Sequence, residues 1–316
     1  MANPIEGKIY SNMSVLYFVC ILFGILTLMV FFCTYKALKE LFPPQKQPPK
    51  SPKQELPYTP LKASDHHTDG KHHLLLAATG SVATIKIPQI LHALSHHPNL
   101  SIRLLLSASA REFLQGQSAE QPSLAEISRS VRNLDGVYCD EHEWAKPWVR
   151  GDAILHIELR RWADLMLVAP LSASALARFS QGLAGDLVAS VVRAWDFEGL
   201  IDGARPGVRL PYDLGKSRAE LEALPEGFRQ GGKKGIMVAP AMNTAMWRHP
   251  VTARQLAVLE EEWGVGNGGC FEVLRPMEKV LACGDSGSGA MKDWREIVRV
   301  VEERLGLGSG IDVSVK

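Results

Sequence analysis

Four short apolar runs constrain this chain more than any other feature. They are Leu74–Thr79, Ser101–Leu106, Leu165–Ala169 and Gly235–Ala239. Each stops at a turn or a small polar segment: Gly80-Ser81, Ser107-Ala108-Ser109, Pro170-Leu171-Ser172 and Pro240-Ala241-Met242-Asn243. Runs of this length suit strands buried on both faces. Between and after them lie segments with helical spacing: Ile85–Ser95, a helix from about Ser109, Ser172–Gln181, Asp186–Arg193 and His249–Trp263. Met291–Leu305 closes the series, with Trp294, Ile297, Val298, Val301 and Leu305 on one stripe. Strand and helix alternate, which predicts an α/β fold with a parallel sheet and helices on both faces. In such sheets ligands sit at the carboxyl ends of the strands, where the polar segments fall.

Residues 199–234 interrupt the alternation with seven glycines, three prolines and mixed charge, the texture of a surface insertion. The chain upstream of residue 73 is different again. Val15–Tyr35 is a run of 21 residues without a charge, long enough for a single transmembrane helix. Only Lys8 precedes it, whereas Lys36, Lys39, Lys46, Lys50 and Lys53 follow. That asymmetry places the main domain in the cytoplasm, anchored to a membrane. The alternative is a soluble cytoplasmic protein whose N-terminal run is a gene-model artefact. The expected organisation is a tail at residues 1–14, the membrane helix at 15–35, a disordered Pro/Lys/His tether at 36–72, the main domain at 73–306 and a tail at 307–316. His66, His67, His72 and His73 lie at the end of the tether. Histidines in a loose segment are more often solvated than ligating, so no metal is expected there.

The first 73 residues carry eight lysines against five acids, and the remainder 27 basic against 29 acidic residues. The main domain therefore lacks the basic excess of a nucleic-acid enzyme. The five cysteines form no C-x-x-C pair, which argues against a disulfide scaffold and a Cys-rich zinc site. Two motifs are decoys. Gly284-Asp285-Ser286-Gly287 resembles the nucleophile segment of trypsin-like proteases, but that fold is all-β. Gly264-Val265-Gly266-Asn267-Gly268-Gly269 satisfies G-x-G-x-x-G, yet it follows a helix rather than a strand.

Three other segments stand out together: His156-Ile157-Glu158-Leu159-Arg160-Arg161-Trp162-Ala163-Asp164, Pro240-Ala241-Met242-Asn243-Thr244-Ala245-Met246-Trp247, and Leu281-Ala282-Cys283-Gly284-Asp285-Ser286-Gly287-Ser288-Gly289-Ala290-Met291. On these strings the domain resembles the flavin-dependent cysteine decarboxylases, and among them the phosphopantothenoylcysteine decarboxylases, here in a fungal-type form with an N-terminal extension. The resemblance covers about residues 73–305 apart from the insertion. It implies a Rossmann-like, flavodoxin-type three-layer fold, FMN as cofactor, and a step of coenzyme A synthesis: conversion of 4′-phosphopantothenoylcysteine to 4′-phosphopantetheine. In that family the flavin oxidises the cysteine moiety to a thioaldehyde, carbon dioxide leaves, and the resulting enethiolate is reduced.

By the same resemblance, His156 is the catalytic acid and base. Asn243 and Ala282 bind the substrate, Asn243 through its carboxylate. Cys283 is the proton donor to the enethiolate. Gly80, Ser81 and Val82 meet the flavin phosphate at a helix start. Ser107, Ser109, Ser172, Ala173, Ser174 and Ala175 supply the other FMN segments, with Met242 beside the isoalloxazine. Where the family reads Asn-Thr, this chain has Ser174-Ala175. The resemblance also implies a trimer, homomeric or mixed with paralogues, with FMN at a subunit interface. His156 then comes from one subunit, and Asn243 with Cys283 from its neighbour. An alternative from another class stays open: a non-catalytic or partner-dependent regulatory paralogue that inhibits a protein phosphatase.

Overall fold

The computed structural model describes residues 60–308 except 214, 227–231 and 281–285, together with residues 27–29, 31–32 and 34–36. The chain divides into two compact units, Met1–Glu55 and Leu56–Lys316. In the first, the described residues are helical and exposed. The rest of the transmembrane helix expected over residues 15–35 lies outside the described residues. Among those described, no helix is long and apolar enough to cross a membrane. The expected tether also lies outside them as far as residue 59.

Among its described residues the second unit has ten strands: β1 (His72–Ala78), β2 (Leu100–Leu106), β3 (Leu134–Cys139), β4 (Leu165–Leu171), β5 (Tyr212–Asp213), β6 (Gly232–Lys233), β7 (Gly235–Pro240), β8 (Phe271–Val273), β9 (Met277–Val280) and β10 (Ser286–Ala290). Its α-helices are α1 (Ile87–Leu94), α2 (Ala108–Arg111), α3 (Leu124–Ser130), α4 (Asp140–Glu143), α5 (Leu155–Trp162), α6 (Ala173–Gln181), α7 (Leu187–Arg193), α8 (Arg218–Glu222), α9 (Thr244–Arg248), α10 (Pro250–Ala257) and α11 (Trp294–Leu305). Six strands form one sheet in the order β3-β2-β1-β4-β7-β8. Every neighbouring pair in it is parallel. This is the doubly wound Rossmann order, with its topological switch between β1 and β4.

The period-two alternation of β1 explains the three layers. Leu74, Leu76 and Ala78 pack into a core with residues of α1, α3 and α11. Leu75 and Ala77 pack on the opposite side with residues of α5, α6, α7 and α10. All five are fully buried, so the strand reads as an unbroken apolar run. The helix ends follow local chemistry: Ser107, Ser123, Ser172 and Asp186 each accept a first-turn backbone N–H, and Gly182 and Gly306 close α6 and α11 at positive φ.

Three expectations need correction. The domain starts about a dozen residues before 73: Leu61 is buried and the Ala63 N–H donates to Glu158 at 2.7 Å. His73 is not solvated but fully buried, its ring stacked on Trp162. The 199–234 segment is more than a surface insertion. The Asp196 carboxylate gathers the N–H groups of Gly199, Leu200, Ile201 and Asp202 at 2.7–3.1 Å. Arg205, 5% exposed, donates to Asp164 at 2.7 Å and Asp69 at 3.1 Å, and to the carbonyls of His66 and Lys71. Tyr212 is buried as well, and its hydroxyl donates to Glu272. The G-x-G-x-x-G string is a tight link into β8. A Cβ at Gly264 would stand 2.0 Å from the Glu260 carbonyl, and one at Gly269 2.1 Å from the Trp263 carbonyl.

Candidate functional site

The carboxyl edge of the sheet brings together segments that are far apart in sequence, and a row of hydrogen bonds stitches them. Ser107 N–H donates to Ala78 at 3.1 Å, and Thr79 N–H to Pro170 at 3.0 Å. Ser172 N–H donates to the Thr79 hydroxyl at 2.7 Å. Ala241 N–H reaches Leu171 at 2.9 Å, and Met242 N–H reaches Gly289 at 3.0 Å. The loops after β2, β1, β4 and β7 and the strand β10 thus form one continuous rim. Of the six sequence segments expected to bind a ligand, those at Gly80–Val82, Ser107–Ser109, Ser172–Ala175 and Met242–Asn243 lie on it, and β10 brings in the end of the Leu281–Met291 string.

The glycine of the first loop has a steric cause. A Cβ at Gly80 would meet Ser109 Cβ and Oγ at 2.7 Å, so only glycine lets these two loops touch. Ser81 precedes a 3₁₀ turn at Val82–Lys86 and makes no side-chain cap, which leaves its hydroxyl uncommitted. Val82 is 45% exposed. Ser107 and Ser172 spend their hydroxyls on capping α2 and α6, through Ala110 N–H and Ala175 N–H at 3.3 Å each. Ser174 accepts from Arg178, which also pairs with Asp186. Met242 and Ala175 are buried, at 8% and 4% exposure.

Whether a flavin mononucleotide fits can be tested on uncommitted groups. The first-turn N–H groups of Ala173 and Ser174 have no partner in the helix, as helix geometry requires. They point the positive end of α6 toward the rim, a setting that favours a phosphate. Thr244 Oγ1, at the start of α9, is buried and without a hydrogen-bond partner among the described residues. Unpaired donors and an orphaned hydroxyl along one apolar rim match the needs of a phosphorylated, flat polar ring. The residues fit the group.

His156 stands in the first turn of α5, at the same edge. Its Nδ1 is 2.6 Å from Glu143 Oε1, and its backbone N–H donates to Glu143 Oε2 at 3.2 Å. The carboxylate can only accept, so it favours the tautomer with the proton on Nδ1 and leaves Nε2 as the nitrogen open to a ligand. Glu143 was not legible in the sequence. The signal for it was the run Asp140-Glu141-His142-Glu143 directly after β3, a strand the sequence reading did not single out. Asp140 belongs to the same turn and accepts from Leu187 N–H at 2.9 Å. Burial, helped by the charge of Asp186, pushes its carboxyl above the ordinary range despite that hydrogen bond. His142 is held below its usual range by burial, and its Nδ1 accepts from Cys139 N–H.

Asn243 caps α9, with Oδ1 accepting Met246 N–H at 2.8 Å. That fixes the amide and leaves Nδ2 to donate outward from an exposed position. The antiparallel pair β9–β10 rises beside it. A Cβ at Gly289, where φ is +121°, would stand 2.6 Å from the Met242 carbonyl oxygen. The hairpin base is therefore fastened to the Asn243 loop by a glycine-only contact. Ala282 and Cys283 lie outside the described residues, between β9 and β10. Among the described residues, no hydrogen bond joins His156 to Asn243.

The sequence profile of the Flavoprotein family matches residues 62–306. A relative named probable phosphopantothenoylcysteine decarboxylase in Arabidopsis thaliana is 36% identical over 223 residues, covering 71% of this chain and 83% of the relative. Phosphopantothenoylcysteine decarboxylase of Mus musculus is 32% identical over 258 residues, covering 82% of this chain and 99% of the relative. A probable thymidylate synthase of Schizosaccharomyces pombe is 35% identical over 242 residues, which are 76% of this chain and 30% of that protein. The chain thus spans under a third of that relative's length. Among solved structures, a variant PPC decarboxylase complexed with pantothenoylaminoethenethiol superposes with a TM-score of 0.52 at 33% identity, covering 73% of this chain and 97% of that one. The FMN binding protein AtHal3 gives 0.51 at 32%, covering 73% and 95%. A profile match along nearly the whole sheet unit, together with relatives above 30% identity over two thirds of the chain, means that this chain belongs to the Flavoprotein family.

Proposed function

We infer that the chain is an FMN-dependent phosphopantothenoylcysteine decarboxylase, forming 4′-phosphopantetheine for coenzyme A synthesis. The observation that carries this reading is the pair of oriented side chains at one sheet edge. Glu143 leaves His156 with a free Nε2, and the cap of α9 leaves Asn243 with a free amide donor. An acid/base nitrogen and a carboxylate-binding amide beside a flavin rim are what oxidative decarboxylation of a cysteine requires. FMN, when bound, supplies the two-electron oxidation and the return of those electrons.

The protein's own part is to bind, orient and move protons. His156 Nε2 takes the substrate thiol proton, and the Glu143 carboxylate stabilises the imidazolium that results. Asn243 Nδ2 donates to the carboxylate that is lost. Cys283 returns a proton to the enethiolate, the role that the family strings give it. Gly80, Ser81, Val82, Ser109 and the α6 start would hold the phosphate side of the flavin, and Met242 would contact its ring.

The reading includes a trimer. Support comes from exposed large apolar side chains in the segment between Glu143 and His156: Trp144, Trp148 and Val149 are 65%, 49% and 66% exposed. Such a patch suits a subunit contact. It would bring His156 to the Asn243 rim of a neighbouring copy or paralogue.

The test is product formation by the full chain in detergent micelles, with excess FMN and 4′-phosphopantothenoylcysteine, read by mass. 4′-Phosphopantetheine is expected, and it should disappear in His156→Asn with flavin binding retained. A His156→Asn variant that still turns over would overturn the assignment.

A further inference from the structure

The opposite end of the sheet holds a second cluster of ligand-type side chains, unrelated to the flavin rim. His96 and His97 close the turn between α1 and β2, and Glu302 lies in the last turns of α11. The His97 and Glu302 side chains are 9% and 4% exposed, and that of His96 is 42% exposed. Both rings aim at one oxygen: Nε2 of His97 is 2.9 Å, and Nε2 of His96 3.9 Å, from Glu302 Oε1. The ring centroids are 3.9 Å apart, tilted by 41°.

An ion pair accounts for His97 and Glu302, since a buried carboxylate needs a partner. It does not account for His96. Two protonated rings at this distance repel, and a neutral second ring adds nothing to an ion pair already made. A shared cation satisfies all three groups. We propose that His96, His97 and Glu302 bind a divalent transition metal, zinc foremost, with the remaining position open to water.

The geometry supports this. The three donor atoms lie within 4.8 Å of one another. In a tetrahedral zinc site with bonds of about 2.0–2.1 Å, neighbouring ligand atoms stand about 3.4 Å apart. The two edges to Glu302, 2.9 and 3.9 Å, bracket that value, and the third, between the donor atoms of the two rings, is no longer than 4.8 Å. Two imidazoles with one carboxylate suit zinc, nickel or copper, whereas calcium and magnesium take oxygen ligands. The turn is also braced. Asn133 Nδ2 donates to the carbonyl of Leu94 at 3.0 Å and to that of His97 at 3.5 Å. The histidines near the domain start are a poorer site. There the Arg205 guanidinium occupies Asp69, beside His73, with the positive charge a metal would bring.

The role is a staple between the α1–β2 turn and α11, adding stability by mass action rather than catalysis. The test uses the full chain in detergent micelles, stripped by chelator and titrated with Zn²⁺ alone, read by equilibrium dialysis and by the thermal midpoint. Zn²⁺ should raise the midpoint. His96→Ala removes a half-exposed ring, so the metal-free midpoint should stay as in the parent. It should lose one equivalent of zinc or weaken it more than about tenfold, since even outer-shell changes do that much. Co²⁺ in place of zinc should give visible absorption that the variant lacks. A midpoint blind to Zn²⁺, or a His96→Ala protein that keeps the parent's binding and shift, would overturn the proposal.

Discussion

Replacing Glu143 by glutamine keeps the shape of the site and changes its hydrogen-bond logic. The carboxylate accepts twice from His156, from Nδ1–H at 2.6 Å and from the backbone N–H at 3.2 Å. A glutamine has one acceptor and one donor. It can satisfy one of the two groups only by pointing its NH₂ at the other. Either the ring turns, or Nδ1 gives up its proton and Nε2 becomes protonated, the wrong form for a base. The lost contact is a hydrogen bond to a charged group, worth about 1.5–3 kcal/mol. At about 1.36 kcal/mol per decade, that is roughly a tenfold to hundredfold fall in kcat. The flavin rim is untouched, so the FMN dissociation constant should hold within about twofold. Steady-state turnover and flavin fluorescence titration, run side by side, check both. A kcat within twofold of the parent would refute the argument that Glu143 sets the working nitrogen. A parallel loss of FMN would show that Glu143 supports the fold instead.

Gly289→Ala should loosen the hairpin base from the Asn243 loop. The added Cβ meets a backbone oxygen at 2.6 Å in a φ region that side chains rarely adopt. We expect a loss of about 1–3 kcal/mol in urea unfolding and a raised substrate KM; an unchanged KM would mean the hairpin is fastened elsewhere. A third prediction concerns acid. Burial of Glu272 favours its neutral form, but the Arg304 guanidinium and the Tyr212 hydroxyl outweigh it and hold the carboxyl below its ordinary 4.5. Its contribution is complete above about pH 4.5 and fades as pH falls through the depressed value. Glu272→Gln should therefore cost stability at neutral pH and flatten the acid limb of the unfolding midpoint; an unaltered acid limb would refute the link.

The central strands were legible because β1, β2, β4 and β7 are covered on both faces, which forces unbroken apolar runs. The edge strands were not. In β3 only Val137, Tyr138 and Cys139 are buried, and β8 has three residues. Helix α5 was hidden by its own charges: Glu158 and Arg160 are buried, and although Glu158 pairs with Arg161 of the same helix, the contacts that bury the two, with Ala63 N–H and Asp202, come from distant segments. No spacing rule predicts such burial. The same holds for the site. His156 and Asn243 announce themselves by the strings around them, whereas Glu143 acquires its role only when α4 meets α5. The early domain start rests on Leu61 and one backbone bond, too small a signal among the prolines and lysines upstream.

Arg205 has a mechanical consequence. Its guanidinium grips two backbone carbonyls and Asp69 in residues 66–71, just before the central strand, and ties them to Asp164. A pull on the chain at residue 60 therefore loads this knot before it reaches the ladder of β1. The knot acts as a strain relief, like the clamp at the neck of a cable. The segment that supplies it, long and glycine-rich, can then be neither trimmed nor swapped as an ordinary loop.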